Sequence, residues 1–339
     1  MISTGEQSRE YRFIVFVVLV VVVVASFLVV QPPVGLRAPG VRYSVIASSP
    51  AVGQMNTGQA DAGSGSLGGA LYVVGGYGLT FRNPLDAVSV YSTTNDTWKS
   101  GTPYPAKAWG TACAAIRTSL FCFGGNGAGT KSYRLDSGRT DWVRLNDMPN
   151  EFADSQGHVA VADSQTNEIY IMGSSNIKLA HNMTWVYDIS HDSYIRRSDM
   201  PFGNAWFTSA LYQGKIYTIG GTHGNNVLVY DIAHDIWNKL QSFLPGPQRY
   251  GMIRNPGVFS GLIPIIDGTN GSVFYNLTYF YDISGNRFIS GMDTLLPRDG
   301  ISGGIIGDTL YVAGGRNLEH APRGLTFAEK LSLGPVSQA

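Results

Sequence analysis

The sequence predicts an all-β fold, a six-bladed β-propeller that follows an apolar N-terminal segment. The first observation is a short apolar run that ends in Gly-Gly, as in GALYVVGGYG from Gly69 and DTLYVAGGRN from Asp308. Such runs recur roughly every 48 residues, a period typical of propellers and other repeat architectures. The second observation is composition, because 42 Gly and 12% aromatic residues suit many short strands joined by tight turns.

The overall charge gives no reason to expect a nucleic acid or an anionic surface as partner. The 339 residues include 24 Lys and Arg against 24 Asp and Glu, so the formal net charge is zero. Apolar residues make up 44% of the chain, which is enough to bury a sizeable core.

The N-terminal segment is predicted to be a transmembrane helix. Phe13 to Val30 reads FIVFVVLVVVVVASFLVV, and as a helix it would be about 27 Å long, close to the thickness of a bilayer core. A cleaved signal peptide with its cleavage site at Ala25 is the alternative, although the run is longer than an ordinary signal-peptide core. The predicted divisions are a tail (1–12), the anchor or signal peptide (13–30), a spacer (31–40), the propeller (41–328) and a second tail (329–339).

Six units can be aligned on the glycine doublet. The doublets or their remnants are Gly75-Gly76, Gly124-Gly125, Met172-Gly173, Gly220-Gly221, Asp267-Gly268 and Gly314-Gly315. A Tyr-centred run follows, and in four units another aromatic residue stands seven positions later: Tyr91 and Trp98, Tyr187 and Tyr194, Tyr230 and Trp237, Tyr281 and Phe288. Tyr133 and Trp142 are expected to take these places in the second unit. Each unit thus holds four runs, A before the doublet, B ending at it, C around the Tyr and D around the second aromatic residue, which predicts four strands per blade.

This pattern resembles the kelch repeat, and the resemblance covers roughly residues 43–328. It implies that the Gly-Gly ends an inner strand where backbones crowd, and that the Tyr and its aromatic partner fill the space between blades. These landmark residues are therefore expected to be structural. The last unit has no clear D run, so Val41–Pro50 is expected to supply it and to close the ring; an open or distorted ring is the alternative.

The two cysteines, Cys113 and Cys122, lie in the A and B runs of one unit. A tight turn between the runs would place them opposite each other on adjacent antiparallel strands, within reach of a disulfide. Two buried thiols are the alternative. A secretory signal favours the disulfide.

Four Asn-x-Ser/Thr sequons are candidate glycosylation sites, at Asn95, Asn182, Asn270 and Asn276. All except Asn276 fall in predicted surface turns. Together with the apolar segment and the paired cysteines, they favour a single-pass membrane protein with a luminal or extracellular propeller, or a secreted propeller if the segment is cleaved.

The sequence leaves catalysis open and favours binding. No residue is assigned as catalytic, no metal is expected because the six His lack metal-ligand spacing, and no cofactor is expected because no dinucleotide or phosphate fingerprint occurs in context. Copper radical oxidases share this fold, but they need a Tyr crosslinked to a Cys, and both Cys here lie in one hairpin. The alternative kept open is an extracytoplasmic carbohydrate-active kelch enzyme, such as a sialic-acid mutarotase or epimerase, with Asp299 and Glu319 as possible acid or base.

The resemblance implies that the B–C loops and the D–A segments meet on one face around the central channel and bind the ligand there. The candidate binding residues on that face are Arg82, Arg249, Arg298, Arg316, Trp109, Trp206, His223 and Tyr250. Inter-blade packing is the alternative role for Trp109 and Trp206, which take equivalent places in two units. Four converging Arg would make the rim positive, so the expected partner is a protein or an anionic glycan.

Overall fold

The computed structural model describes residues 53–78, 83–176, 178–317 and 324–333. Within these residues the strands form six antiparallel sheets, the blades of a propeller. The A strands of neighbouring blades contact one another and so form the innermost layer. The prediction of an all-β, six-bladed propeller is confirmed.

The strands of each blade follow one another from the innermost strand A to the outermost strand D. Blade one consists of β1 (Gly63–Leu67), β2 (Ala70–Val74), β3 (Val88–Ser92) and β4 (Thr97–Ser100). Blade two consists of β5 (Ala112–Ile116), β6 (Ser119–Phe123), β7 (Ser132–Asp136) and β8 (Val143–Arg144), followed by a short 3-10 helix (Asn150–Phe152). Blade three consists of β9 (Val159–Asp163), β10 (Glu168–Ser175), β11 (Ala180–Asp188) and β12 (Ser193–Arg197).

The remaining blades are less uniform. Blade four consists of β13 (Thr208–Tyr212), β14 (Lys215–Ile219), β15 (Asn226–Asp231) and β16 (Ile236–Phe243). Blade five has strands B, C and D, namely β17 (Leu262–Ile266), β18 (Thr278–Asp282) and β19 (Arg287–Ser290). The described part of blade six has strands A, B and C, namely β20 (Asp299–Ile306), β21 (Thr309–Arg316) and β22 (Ala328–Ser332).

A closed ring of six backbone hydrogen bonds surrounds the axis at the start of the inner strands. Its members come one from each D–A segment: Asp61, Gly110, Gly157, Trp206, Gly251 and Gly300. The N–H of each residue donates to the carbonyl of the ring residue before it, with N···O distances of 2.7 to 3.2 Å. All six have a left-handed backbone, with φ between 54° and 79°. Each blade is therefore tied at the axis to both of its neighbours.

The ring is closed between blades six and one. The hydroxyl of Ser64 in β1 donates to the carbonyl of Gly303 in β20 at 2.9 Å, and the N–H of Gly315 donates to the carbonyl of Gln59 at 2.8 Å. The alternative of an open ring is therefore wrong.

The doublets pack where the sequence placed them, in close contact with the next D–A segment. A Cβ on Gly75 would stand 2.5 Å from the carbonyl oxygen of Ala108, and one on Gly220 would stand 2.5 Å from that of Arg249. The third doublet was misplaced by one residue. Gly173 has the left-handed φ of a first glycine (60°), and the N–H of Ser174 makes the bond to the next D–A segment, so the pair is Gly173-Ser174.

The paired aromatic residues stabilise the turns between strands C and D. Tyr230 stands directly opposite Trp237, with ring centroids 5.0 Å apart. The Tyr230 hydroxyl also donates to Asp235, a turn residue with φ of 54°. The same arrangement recurs in blades one, three and five: Tyr91 with Asp96 and Trp98, Tyr187 with Asp192 and Tyr194, Tyr281 with Asn286 and Phe288. The landmark Tyr thus anchors both the turn and the blade core.

Blade two departs from this arrangement. Arg144, not Trp142, stands opposite Tyr133, and its guanidinium carbon lies 5.2 Å from the Tyr133 ring centroid. Trp142 instead packs edge-on against Tyr104, with centroids 5.1 Å apart. The expectation that Trp142 is the partner of Tyr133 was wrong because the longer turn shifts the register of strand D.

The predicted disulfide is confirmed. Cys113 in β5 and Cys122 in β6 are direct cross-strand partners with Cα atoms 4.2 Å apart, and their sulfur atoms are bonded. The disulfide joins two strands that the sheet already pairs.

Glu319, the second possible acid or base, lies outside the described residues, and so do two predicted segments. These are the apolar segment at 13–30 and the closing D strand at 41–50, and both stay predictions. In the described part of the chain no helix is long and apolar enough to cross a membrane.

Blade five lacks a described strand A, and residues 252–258 occupy its place. This segment bonds to its neighbours on both sides: Ser209 N–H donates to the Arg254 carbonyl at 2.8 Å, and Ile305 N–H donates to the Pro256 carbonyl at 2.9 Å. The Arg254 guanidinium extends across the channel and donates to three carbonyls of other blades, those of Ala62 (2.6 Å), Gly110 (3.1 Å) and His158 (3.3 Å). Burial lowers the pKa of Arg254 to about 10, so the side chain stays charged at neutral pH.

We predict that Arg254→Met lowers the free energy of unfolding by about 2 kcal/mol, because three buried carbonyls lose a charged donor. Denaturant titration measures the change. The matched control is Arg287→Met, which removes a half-exposed guanidinium while Asp282 keeps its bonds from Ser284 and Gly285, and it should cost less than about 1 kcal/mol. Equal losses in the two variants would contradict the tethering role of Arg254.

Candidate functional site

A cavity of about 930 Å³ lies on the axis, above the hydrogen-bonded ring. Each of the six D–A segments contributes to its wall: Asp61, Trp109, Gln156, Trp206, Tyr250 and Asp299. The B–C loops add Asn126, Lys178, Thr222 and Arg316. The cavity therefore lies where the two predicted sets of segments meet.

The position of a residue relative to the ring residue determines whether its side chain points into the cavity. Trp109, Tyr250 and Asp299 each stand one residue before a ring residue, and this position turns their side chains toward the cavity. Trp206 is a ring residue itself. The two Trp residues are thus offset by one position, and the expectation that they take equivalent places was wrong. Their rings are nearly parallel, with centroids 6.1 Å apart, and the Trp206 indole N–H donates to the Ser175 hydroxyl at 3.2 Å.

Asp299 and Arg316 form a two-bonded ion pair in the cavity wall. The guanidinium Nε and Nη2 atoms of Arg316 donate to the two carboxylate oxygens of Asp299 at 2.6 and 3.0 Å. Burial alone would lower the pKa of Arg316, but the hydrogen bonds and the charge of Asp299 raise it. Burial raises the pKa of Asp299, against the opposing hydrogen bonds and charge of Arg316. The two hydrogen bonds hold the pair in one fixed geometry.

The structure brings four of the eight candidate binding residues into this cavity. They are Trp109, Trp206, Tyr250 and Arg316. Arg82 lies outside the described residues. Arg249 and His223 are exposed but do not line the cavity, and the His223 ring instead stacks on Phe202 at 3.9 Å between centroids.

Arg298 is not a surface residue, contrary to the expectation. It is fully buried and forms ion pairs with Asp267 (3.0 Å) and with Glu329. Neighbouring residues of an extended segment point to opposite sides, so Asp299 faces the cavity while Arg298 points into the blade. The signal for this burial was an Asp in a glycine position and a Glu in strand C of blade six, because buried carboxylates require a cationic partner.

The expected convergence of four Arg is therefore wrong for the described residues. The described charged side chains of the cavity are Asp61, Asp154 and Asp299 against Lys178 and Arg316, three carboxylates against two cations. The wall is mixed in charge rather than positive, and nothing in it favours an anionic ligand.

The residue missed at the sequence level is Asp61. It stands two positions before β1, as Gly110 and Gly157 stand two positions before β5 and β9. An alignment of the six A runs on these glycines would have singled out Asp61 and Trp206 as the two exceptions.

Comparison with known proteins agrees with this architecture. The Kelch motif family model matches residues 60–103. The chain is similar to Kelch-like protein 38 of Rattus norvegicus, 28% identical over 169 residues, which are 48% of this chain and 28% of that protein. It is also similar to Kelch-like protein 26 of Mus musculus, 39% identical over 62 residues, which are 18% of this chain and 10% of that protein. The matches thus span less than a third of the length of these relatives.

The chain is a kelch-repeat β-propeller. The family match covers the first blade, and the same Tyr-to-turn contact recurs in blades three, four and five. Among the described residues of this kelch propeller, no group of three or more His, Cys, Asp or Glu could hold a metal ion.

The four sequons of the kelch propeller differ in exposure. Asn95 and Asn270 are exposed in loops, whereas Asn182 lies within β11, so its expected place in a surface turn was wrong. The side-chain amides of Asn182 and Asn276 donate to the carbonyls of Met200 (3.2 Å) and Thr294 (2.9 Å). Asn225 makes the same contact with Leu244 in blade four, at 3.1 Å. These amides thus fasten strand C to the end of strand D, and glycosylation at each sequon stays a prediction.

His158 lies beneath the cavity and titrates abnormally. Its Nε2 atom donates to the Phe123 carbonyl at 2.9 Å, which leaves Nδ1 buried with no hydrogen-bond partner among the described residues. Burial lowers the pKa of His158 to about 4, against the opposing effect of the Phe123 bond. The native protein therefore keeps this imidazole neutral at pH values where an exposed histidine is charged.

We predict that the kelch propeller loses stability as the pH falls from about 6.5 toward 4, because the unfolded chain protonates His158 first. The loss attributable to this residue is about 3 kcal/mol over that interval. His158→Gln keeps a donor for the Phe123 carbonyl but cannot titrate, so its stability should decline less steeply. Urea titrations at a series of pH values test this, and parallel profiles for the two proteins would show that His158 is not responsible.

Proposed function

We propose that this kelch propeller is a protein-binding module and that a segment of the partner enters the axial cavity. The observation that carries the proposal is the convergence of six D–A segments on one cavity, which no single blade could form. Its wall combines indole, phenol, amide and charged groups, and Trp, Tyr and Arg are the residue types enriched at binding hot spots. A mixed wall of this kind fits a polypeptide segment better than a uniformly anionic glycan.

The Asp299–Arg316 pair is the observation that favours the second candidate, a carbohydrate-active enzyme. An enzyme of that kind needs an acid or base that is available to its substrate. The Asp299 carboxylate is already held by two hydrogen bonds from Arg316, and the surrounding cavity is wide. Binding is therefore the function that this geometry supports better.

We propose further that the propeller is luminal or extracellular, held by the segment at 13–30 or released after its cleavage. The disulfide supports an oxidising compartment. The exposed sequons at Asn95 and Asn270 are accessible to glycosylation.

We predict that the protein expressed in a glycosylating cell shifts in electrophoretic mobility after glycosidase treatment. Asn95→Gln and Asn270→Gln should each remove part of the shift, because both side chains are exposed. A chain with no shift, together with protease sensitivity from the cytosolic side alone, would contradict the proposed location.

We predict that blocking the cavity abolishes partner binding. Because Cys113 and Cys122 are joined, Lys178→Cys introduces the single free thiol among the described residues, at the cavity wall, and a maleimide-linked polyethylene glycol chain can be attached to it. Short disulfide-closed peptides displayed on phage are selected on the immobilised full chain, and the selected peptides should fail to bind the labelled variant.

The matched control is Lys99→Cys with the same label, because Lys99 is exposed on the outermost strand β4. The selected peptides should bind this labelled control as tightly as they bind the unlabelled wild type. Equal loss at both positions, or binding that survives the label at residue 178, would overturn the proposed function. Recovery of no binding peptide would count against it as well.

A further inference from the structure

Two of the six ring residues carry side chains, and both side chains line the cavity. Asp61 has φ of 54° and Trp206 has φ of 60°, whereas the other four positions are glycine. A left-handed backbone is unfavourable for a residue with a Cβ, and for a bulky residue such as Trp it is a rare outlier. Glycine makes the same ring bonds at four positions. The ring itself therefore requires neither side chain. Both side chains line the cavity, where Trp206 also stacks on Trp109 and donates to Ser175.

The neighbouring ring glycines leave the space that these side chains occupy. A Cβ on Gly157 would stand 2.6 Å from the indole nitrogen of Trp206, and a Cβ on Gly300 would collide with the carboxylate of Asp61. The floor of the cavity thus has an indole on one side of the axis and a carboxylate on the other.

The charges around this floor are balanced. The Asp61 and Asp299 carboxylates lie with the Arg316 guanidinium in the wall, and the Arg254 guanidinium carbon lies 5.5 Å from the centroid of the Trp206 ring. Among the described residues these are two carboxylates and two guanidinium groups. A charged side chain brought to the floor would lose its hydration without meeting an uncompensated opposite charge.

We propose, on the basis of the proposed function, that Asp61 and Trp206 are the specificity-determining pair of the cavity and that they recognise an uncharged turn of a polypeptide. The carboxylate of Asp61 accepts hydrogen bonds from backbone N–H groups exposed at the turn. A carboxylate has about four acceptor sites, so it can serve such donors beside the contacts it already makes. The indole of Trp206 packs against the flat apolar side of the turn, such as a proline ring.

The test uses the peptides selected above on the full chain, restricted to those that the label at residue 178 blocks. Their loop sequences should be rich in Pro, Gly, Ser and Asn and poor in charged residues. Asp61→Gly and Trp206→Gly should each weaken binding about tenfold or more. Both variants keep the ring, because glycine already occupies four of its positions, and circular dichroism should show that Asp61→Gly is folded.

Asp61→Gly keeps the test decisive if Trp206→Gly does not fold, because the Asp61 side chain can be removed without opening the core. Peptides that the label blocks but that bind both variants as tightly as the wild type would overturn the specificity pair and leave the proposed function intact. A selected set with charged loops would overturn the ligand class. Peptides that the label does not block would overturn both proposals.

Discussion

The closed ring of backbone hydrogen bonds at the axis is the constraint on which the rest of this propeller depends. Each ring residue bonds to the blade before it and to the blade after it, so no blade can shift alone. The left-handed backbone at each ring position turns the chain from the D–A segment into the inner strand. The same turn directs the preceding side chain toward the cavity. Closure of the fold and composition of the site are thus consequences of one local geometry.

Blade five shows how the fold tolerates local exceptions. Asp267 takes a glycine position with φ of 54°, and its buried carboxylate is matched by Arg298, which also pairs with Glu329. Burial raises the pKa of Asp267 to about 7, against the opposing charge of Arg298. The same blade lacks a described strand A. The Arg254 guanidinium in its place donates hydrogen bonds to the carbonyls of three other blades. In both cases buried polar groups are satisfied by partners distant in sequence.

The repeat made the fold predictable from the sequence because its landmarks are used in packing. The doublets contact the next blade, and the Tyr residues reach the turn residue five positions later, so spacing alone indicated strands and turns. The disulfide followed from the spacing of two cysteines across one tight turn. The site was less predictable. The binding face was inferred from the converging segments, and four of the eight named residues line the cavity. The direction of each side chain could not be predicted, because it depends on a one-residue offset from the ring.

Arg298 and Asp61 show two limits of prediction from the sequence. One residue was placed wrongly and the other was not recognised. Arg298 was placed on the surface because an Arg is hard to bury alone, and its two carboxylate partners lie 31 residues away on either side. Asp61 was overlooked because an Asp near the start of a blade has no distinctive neighbours in the sequence. An alignment of the A runs relates it to Gly110, Gly157 and Trp206, and the hydrogen bonds of the ring show what this shared position does. Pairings of this kind are set by the closed geometry rather than by local pattern.

The ring also imposes mutual exclusion on its members. The Trp206 indole covers the space above Gly157, Asp61 covers that above Gly300, and a Cβ on Gly251 would stand 2.8 Å from the Cβ of Asp299. The side chains of Trp206 and Asp61 therefore each exclude a side chain at the ring position before them, while the backbone path accepts glycine at any position. Only a few combinations of ring positions can therefore carry side chains at this surface. A new specificity would arise by moving an occupant from one blade to another, with a glycine left in the vacated place.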